Sequence, residues 1–185
     1  VGLLPLGTGN ALAAHYDIGA PLGPSGWLRS HTLVEEAPLR LLQGHDGRFP
    51  FAGLGLDGAV LNEYIAIKGA LTHTPLEQAI QGMPGYLAAS LRTLPNVLAR
   101  RGLLPTIQIV NAGRRAWRVD ALTGERLQSY EPGEVLYSGP SLWVAGSSTR
   151  CYGFNMQLFP HAEAHPERFQ LRVFNGSPLK ALAQL

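Results

Sequence analysis

Glycine and proline punctuate this chain so often that short strands and turns, rather than long helices, must make up most of its fold: 22 Gly and 14 Pro are spread over 185 residues. After Gly102 the rhythm is regular. The segments TIQIV, RAWRVD, EVLY, SLWVAG, NMQLF and FQLRVF read as strands at intervals of about ten residues, the pattern of an antiparallel sheet or sandwich. Further upstream, His31–Gln43 and Arg48–Leu54 read as strands around the turn GHDG, a hairpin signal. Two segments carry helical spacing instead. Asp57 to Lys68 is apolar at Val60, Leu61, Tyr64 and Ile67, one helical face, with Asp57 suited to cap it. Pro84–Arg101 carries Leu87, Leu91, Leu94 and Leu98 at helical spacing, which predicts the buried face of a second helix. Pro84 suits its first turn, Gly102 its end, and Pro95 predicts a kink or break. Ser177–Leu185 begins another helix, and GAPLGPSG (19–26) is the best domain boundary.

Composition excludes several classes. Hydrophobic residues at 45% and charged residues at 15% fill a core and argue against disorder. No apolar run reaches the roughly 18 residues a membrane-spanning helix needs, and no signal-peptide pattern is visible. Cys151 stands alone, so no intrachain disulfide forms, and a reducing compartment fits. A net charge of +2 is too small to imply nucleic acid. Arg92, Arg100, Arg101, Arg114, Arg115 and Arg118 fall in a stretch with no acidic residue before Asp120. That run is either a solvated face or a contact for anionic lipid or phosphate.

The chain opens on Val1 inside an apolar strand, and the expectation is a piece cut from something longer. That strand, Val1–Leu6, leads into Gly7-Thr8-Gly9-Asn10 and a helix start at Asn10–His15. Strand, small loop and helix start present backbone N–H groups to an anion. Glycine lets the backbone approach closely, and Thr8 and Asn10 add side-chain donors. A dinucleotide fingerprint is excluded because Leu12 stands where its third glycine belongs, and a P-loop because this loop lacks the Gly-Lys-Ser/Thr it needs.

The longer string LLPLGTGNALA resembles the nucleotide-site loop of the diacylglycerol kinase-like lipid kinases, where a P-x-G-T-G-N segment follows a strand. In the same order, FAGLGLDGAV (51–60) is similar to the family's G-F-D-A-x-V segment, and residues 142–174 to its late strand–loop–strand. The resemblance implies an α+β fold that is mainly β. Residues 1–18 would be the last strand and helix start of an α/β nucleotide-binding domain. Residues 19–185 would be an antiparallel, β-sandwich-like lipid-binding domain, incomplete at its C-terminus. It implies transfer of the ATP γ-phosphoryl group, with Mg²⁺, to the hydroxyl of a diacylglycerol or sphingoid lipid. Gly7, Thr8, Gly9 and Asn10 would hold the nucleotide, and Asp57 would contact the substrate. The family's general base, the aspartate of G-G-D-G-T, would lie upstream of Val1, so no catalytic residue is assigned here and this piece alone would be inactive. The enzyme would be cytoplasmic and peripheral at the inner membrane face, with lipid at a membrane surface as its partner.

The chain also departs from the family pattern. Ala11 follows the loop asparagine, as in sphingosine-kinase-like members, where many bacterial members carry aspartate. Pro166-Glu167 occupies the D-G pair that helps hold a structural Mg²⁺ in some bacterial members, and Tyr152-Gly153-Phe154-Asn155 replaces a glycine triplet. No metal site is therefore assigned. In HAEAHPE (161–167), His161, His165, Glu163 and Glu167 have the look of ligands, but Pro160 and Pro166 bracket a loop, and solvated histidines are expected. Ser177-Pro-Leu-Lys180 matches S-x-x-K without its partner motifs. Tyr86, Trp143 and Phe154 read as core. Two other readings stay open: a non-catalytic lipid-binding or regulatory protein on a degenerate kinase scaffold, and a NAD-kinase-like enzyme with a soluble acceptor. If the arginine run meets lipid, charge reversal at Arg100 and Arg101 weakens co-sedimentation with anionic vesicles; unchanged sedimentation removes that contact.

Overall fold

The computed structural model describes residues 38–99, 104–152 and 156–176. The readings of Val1–His15, 19–26, Arg100, Arg101, Phe154 and Ser177–Leu185 lie outside them. The described residues form an α+β fold in which every strand pairing is antiparallel. In chain order the elements are β1 (Leu42–Gln43), β2 (Arg48–Phe49), β3 (Phe51–Gly55), α1 (Leu56–Leu71), α2 (Met83–Ala99) and β4 (Thr106–Val110). Then follow β5 (Ala116–Val119), β6 (Arg126–Tyr130), β7 (Val135–Pro140), β8 (Trp143–Ser147) and β9 (Gln170–Phe174). One sheet has three strands in the order β3-β8-β9; the others are the ribbons β1-β2, β4-β7 and β5-β6.

The three-stranded sheet carries the first core. Its central strand β8 is small where it is buried, at Ala145, Gly146 and Ser147. Small side chains there let Tyr152, Leu158, Phe159 and Ala162 pack onto Ala145, with Phe51, Trp143 and Met156 around them. Phe159 is fully buried, and its ring stands 5.8 Å from that of Tyr152 and 6.3 Å from that of Trp143. Past β8 the chain buries Ser147, Ser148 and Thr149, and each hydroxyl is satisfied by a carbonyl. Ser147 Oγ donates to Thr149 O (2.7 Å), Ser148 Oγ to Arg40 O (2.8 Å), and Thr149 Oγ1 to Cys151 O (3.1 Å). Ser148 N–H donates to Pro50 O at 3.0 Å. Pro50 thus divides the expected strand Arg48–Leu54 into β2, which makes the hairpin with β1, and β3, which joins the sheet.

The second core lies between the helices. Val60, Ile67 and Ala89 are buried, with Leu56, Tyr64, Leu71, Ile80 and Tyr86 against them. The expected α1 face holds except at Leu61, which is 46% exposed. The expected α2 face does not. Leu87 and Leu91 are 57% and 63% exposed, and the buried positions are Gly85, Ala89 and Thr93. The reason is closeness of approach. A Cβ on Gly85 would stand 2.0 Å from Ile80 O and 2.7 Å from Tyr64 Cε2, so only a small-residue stripe brings the helices this near. Nor does α2 break at Pro95; it runs to Ala99. Pro95 removes one N–H whose partner, the Leu91 carbonyl, belongs to the exposed side, where solvent can satisfy it.

The strands expected at TIQIV, RAWRVD, EVLY, SLWVAG and FQLRVF form as β4, β5, β7, β8 and β9. NMQLF does not form one: Met156 makes an isolated bridge to Tyr152, and Leu158 and Phe159 turn into the core. Strand β6 was not expected. It pairs with β5 through a register shift near Val119 and closes a turn in which Asp120 Oδ1 accepts the N–H groups of Leu122 and Thr123. Those two donors hold the Asp120 carboxyl below the usual carboxylate range. Gly85→Ala is expected to destabilise the protein by about 1–3 kcal/mol through overpacking, read as a lower urea midpoint at unchanged slope.

Candidate functional site

Gly7, Thr8, Gly9 and Asn10 lie outside the described residues, so the site is built around Asp57. Strand β3 ends and α1 begins with no residue between them. Gly55 makes this possible. It sits at φ 90°, in the left-handed region, and a Cβ there would stand 2.5 Å from Leu142 O. That same carbonyl accepts the Leu56 N–H at 2.9 Å and satisfies one of the helix's orphan donors. The cap position therefore belongs to Gly55, and no side chain caps the helix. The expectation that Asp57 is the N-cap is corrected: it stands in the first turn, where a negative charge suits the helix dipole.

Its carboxylate serves two phenols instead. Tyr86 Oη, from α2, donates to Asp57 Oδ1 at 2.7 Å. Tyr152 Oη, from beyond β8, donates to Oδ2 in a short bond. Burial, then the neighbouring Asp57, push both phenols well above the usual tyrosine range, so both remain protonated donors. Space for this comes from Gly53, where a Cβ would stand 2.5 Å from Tyr152 Oη and 2.9 Å from Asp57 Oδ2. Two of the three glycines of GLGLDG thus have separate duties: Gly53 admits a hydroxyl, and Gly55 turns the chain. Sequence reasoning placed Tyr86 only in the core. The Asp57 partners stand 29 and 95 residues away along the chain, a separation no local pattern marks.

Beside this cluster lies a cleft of about 490 Å³ between the two helices and the β7–β8 corner. Its walls are Leu56, Ala59, Val97, Leu104 and Leu142. Glu63, Thr93 and Asn96 supply polar groups. Its volume falls within the few hundred to about 1,000 Å³ of small-molecule sites. Asp57 does not line it, although Leu56 and Ala59, close to it in the chain, do.

The remaining candidate residues separate in space or find partners. Arg92 pairs with Glu63 at 3.0 Å, Arg114 with Glu167, and Arg115 with Glu131, so these arginines do not present unopposed charge. In the HAEAHPE loop, His161 Nε2 stands 3.2 Å from Ala121 O, and Arg126 Nη2 meets His165 Nε2 at 2.6 Å. Glu163 pairs with Arg150 at 3.2 Å. The loop is a clasp for the β5-β6 hairpin, with Arg126 and Arg168 over the ring of Trp117 at 4.3 and 3.9 Å. Among the described residues no three His, Cys, Asp or Glu side chains converge as metal ligands, and no helix is long and apolar enough to cross a membrane. No protein-family model, curated protein or solved structure matches the chain.

Tyr152→Phe removes a donor from a half-buried carboxylate and is expected to cost about 1.5–3 kcal/mol in urea unfolding. Gly58→Ala, where an added Cβ meets nothing within 4 Å, is expected to stabilise α1 by about 0.5–1 kcal/mol.

Proposed function

We propose that the chain is part of an ATP-dependent lipid kinase and that its described portion forms the acceptor side. The observation that carries this reading is the placement of Asp57. The residue marked for substrate contact by its motif is a carboxylate held by two neutral phenols, beside a cleft with apolar walls. In this reading the antiparallel strands belong to the β-rich lipid domain, and residues 1–18 end the nucleotide domain. Gly7, Thr8, Gly9 and Asn10 offer N–H and side-chain donors to the phosphates. ATP supplies the phosphoryl group and Mg²⁺ offsets its charge; neither is assigned a residue among those described. The chain's own work is to seat the acceptor, orient its hydroxyl and exclude water. Apolar cleft walls favour a lipid over a soluble nucleotide acceptor.

One observation favours the non-catalytic alternative. Both Asp57 oxygens are already engaged, and the residue does not line the cleft. The two readings part in one experiment on the product of the full open reading frame. Labelled γ-phosphate from ATP is followed into mixed vesicles of diacylglycerol, sphingosine and ceramide. The kinase reading expects a labelled lipid that falls at least tenfold in Thr8→Ala and in Asp57→Asn. Vesicle binding without any labelled lipid, from folded protein, moves the assignment to the lipid-binding protein.

A further inference from the structure

Asn175 alone among the asparagines of this chain is followed by glycine. An Asn-Gly pair marks a turn, and it is also a reactive pair. The glycine nitrogen has no side chain to shield it and can reach the amide carbon of the asparagine before it. Asparagine is among the thermolabile residues, and the surroundings of each one decide whether it reacts.

The structure leaves this pair open. It follows Phe174, the last residue of β9, which still pairs with Trp143 and whose carbonyl accepts the Leu142 N–H at 2.9 Å. Beyond Phe174 the ladder stops. Asn175 is exposed, and one contact holds its amide: Nδ2 donates to Tyr137 Oη at 3.4 Å, longer than an ordinary N–H···O bond. No described residue accepts the Gly176 N–H. The other described asparagines are closed off. Asn62 and Asn96 lie within α1 and α2, where the next N–H is committed to a carbonyl four residues back. Asn111 is buried; its Nδ2 donates to Arg114 O at 2.9 Å and Tyr130 O at 3.2 Å, and its Oδ1 accepts the Gly113 N–H at 3.2 Å.

We propose that Asn175 is a self-modification site, which the folded chain converts to aspartate and isoaspartate without an enzyme. The Gly176 main-chain nitrogen gives up its proton and forms a bond to Asn175 Cγ. The Cγ–Nδ2 bond breaks, and ammonia leaves with that proton. Water then opens the cyclic imide at either carbonyl. The sum is one ammonia out and one water in, with nothing oxidised or reduced. Both products lose the Nδ2 donor and gain a negative charge. The isoaspartyl product also carries the main chain through its side-chain carbons, one atom longer, where β9 ends. The end of β9 thereby loses its tie to Tyr137 of β7.

The test incubates the folded product of the full open reading frame in mildly alkaline buffer at body temperature. Trypsin cuts after Arg172 and Lys180 and so isolates residues 173–180. The expected result is a gain of about one mass unit in that peptide, at no less than a tenth of the rate of the same synthetic peptide. Peptides holding Asn62, Asn96 and Asn111 stay unchanged. A protease that cuts before aspartate cleaves only part of the product, because the isoaspartyl share resists it. Gly176→Ala and Asn175→Gln, in chain with the wild-type circular dichroism, each slow the gain at least tenfold. The first crowds the nitrogen, and the second lengthens the side chain past the five-membered ring. Conversion of the synthetic peptide without conversion of the folded chain overturns the proposal, because the fold then protects the pair. Equal gain at Asn62, Asn96 or Asn111 overturns the assignment to Asn175, and unchanged rates in both variants overturn the route through Gly176.

Discussion

The carboxylate of Asp57 joins the two halves of the described structure. Tyr152 belongs to the core beneath the three-stranded sheet, and Tyr86 to the core between the helices. Among the described residues each core is small, with five and three buried residues. Tyr152 meets Asp57 only where α1 lies against the sheet, and Tyr86 only where α2 lies against α1. Hydrogen bonds to a charged group are worth about 1.5–3 kcal/mol each, comparable to the burial of a large apolar side chain. The junction therefore orients two modest cores that apolar packing alone would leave loosely related.

Glycine sets the geometry of that junction. With a side chain at Gly53 the Tyr152 hydroxyl would be displaced, and with one at Gly55 the Leu142 carbonyl would be. A third close approach, at Gly85, brings α2 onto Tyr64 and Ile80. Helix α2 consequently buries small residues and turns Leu87 and Leu91 outward. The cleft is the other product of this arrangement. It opens where the two helices part and the β7–β8 corner approaches them, and Thr93 and Asn96 reach its rim because the small-residue face of α2 is turned towards α1.

Far from the junction, the β5-β6 hairpin is held by a different chemistry. Its contacts with residues 161–168 are an ion pair, the Arg168 guanidinium on Trp117, Arg126 against His165 and a histidine ring against a carbonyl, most of them exposed. Exposed pairs contribute little individually, so the hairpin depends on their number and on the Asp120 turn. Of the side chains that looked like metal ligands in sequence, His161, His165 and Glu167 are the loop side of this clasp, and Glu163 pairs with Arg150.

Local chemistry made much of the fold legible. Alternating apolar residues between turn signals marked β4, β5, β7, β8 and β9, the GHDG turn marked the β1-β2 hairpin, and apolar spacing marked both helices. These depend on neighbours within a few residues, which a sequence displays. Strand β6 was hidden because RLQSY lacks β-branched residues and is held by main-chain pairing to β5. The outward turn of the α2 leucines was hidden because it depends on the space around Gly85, set by a loop and another helix. Asp57 was legible as a residue of interest from its place at a helix start and from the likeness of its segment to G-F-D-A-x-V. That it serves two phenols, and does not cap its helix, was decided only in three dimensions, because Tyr86 and Tyr152 reach it through packing and not through any spacing along the chain.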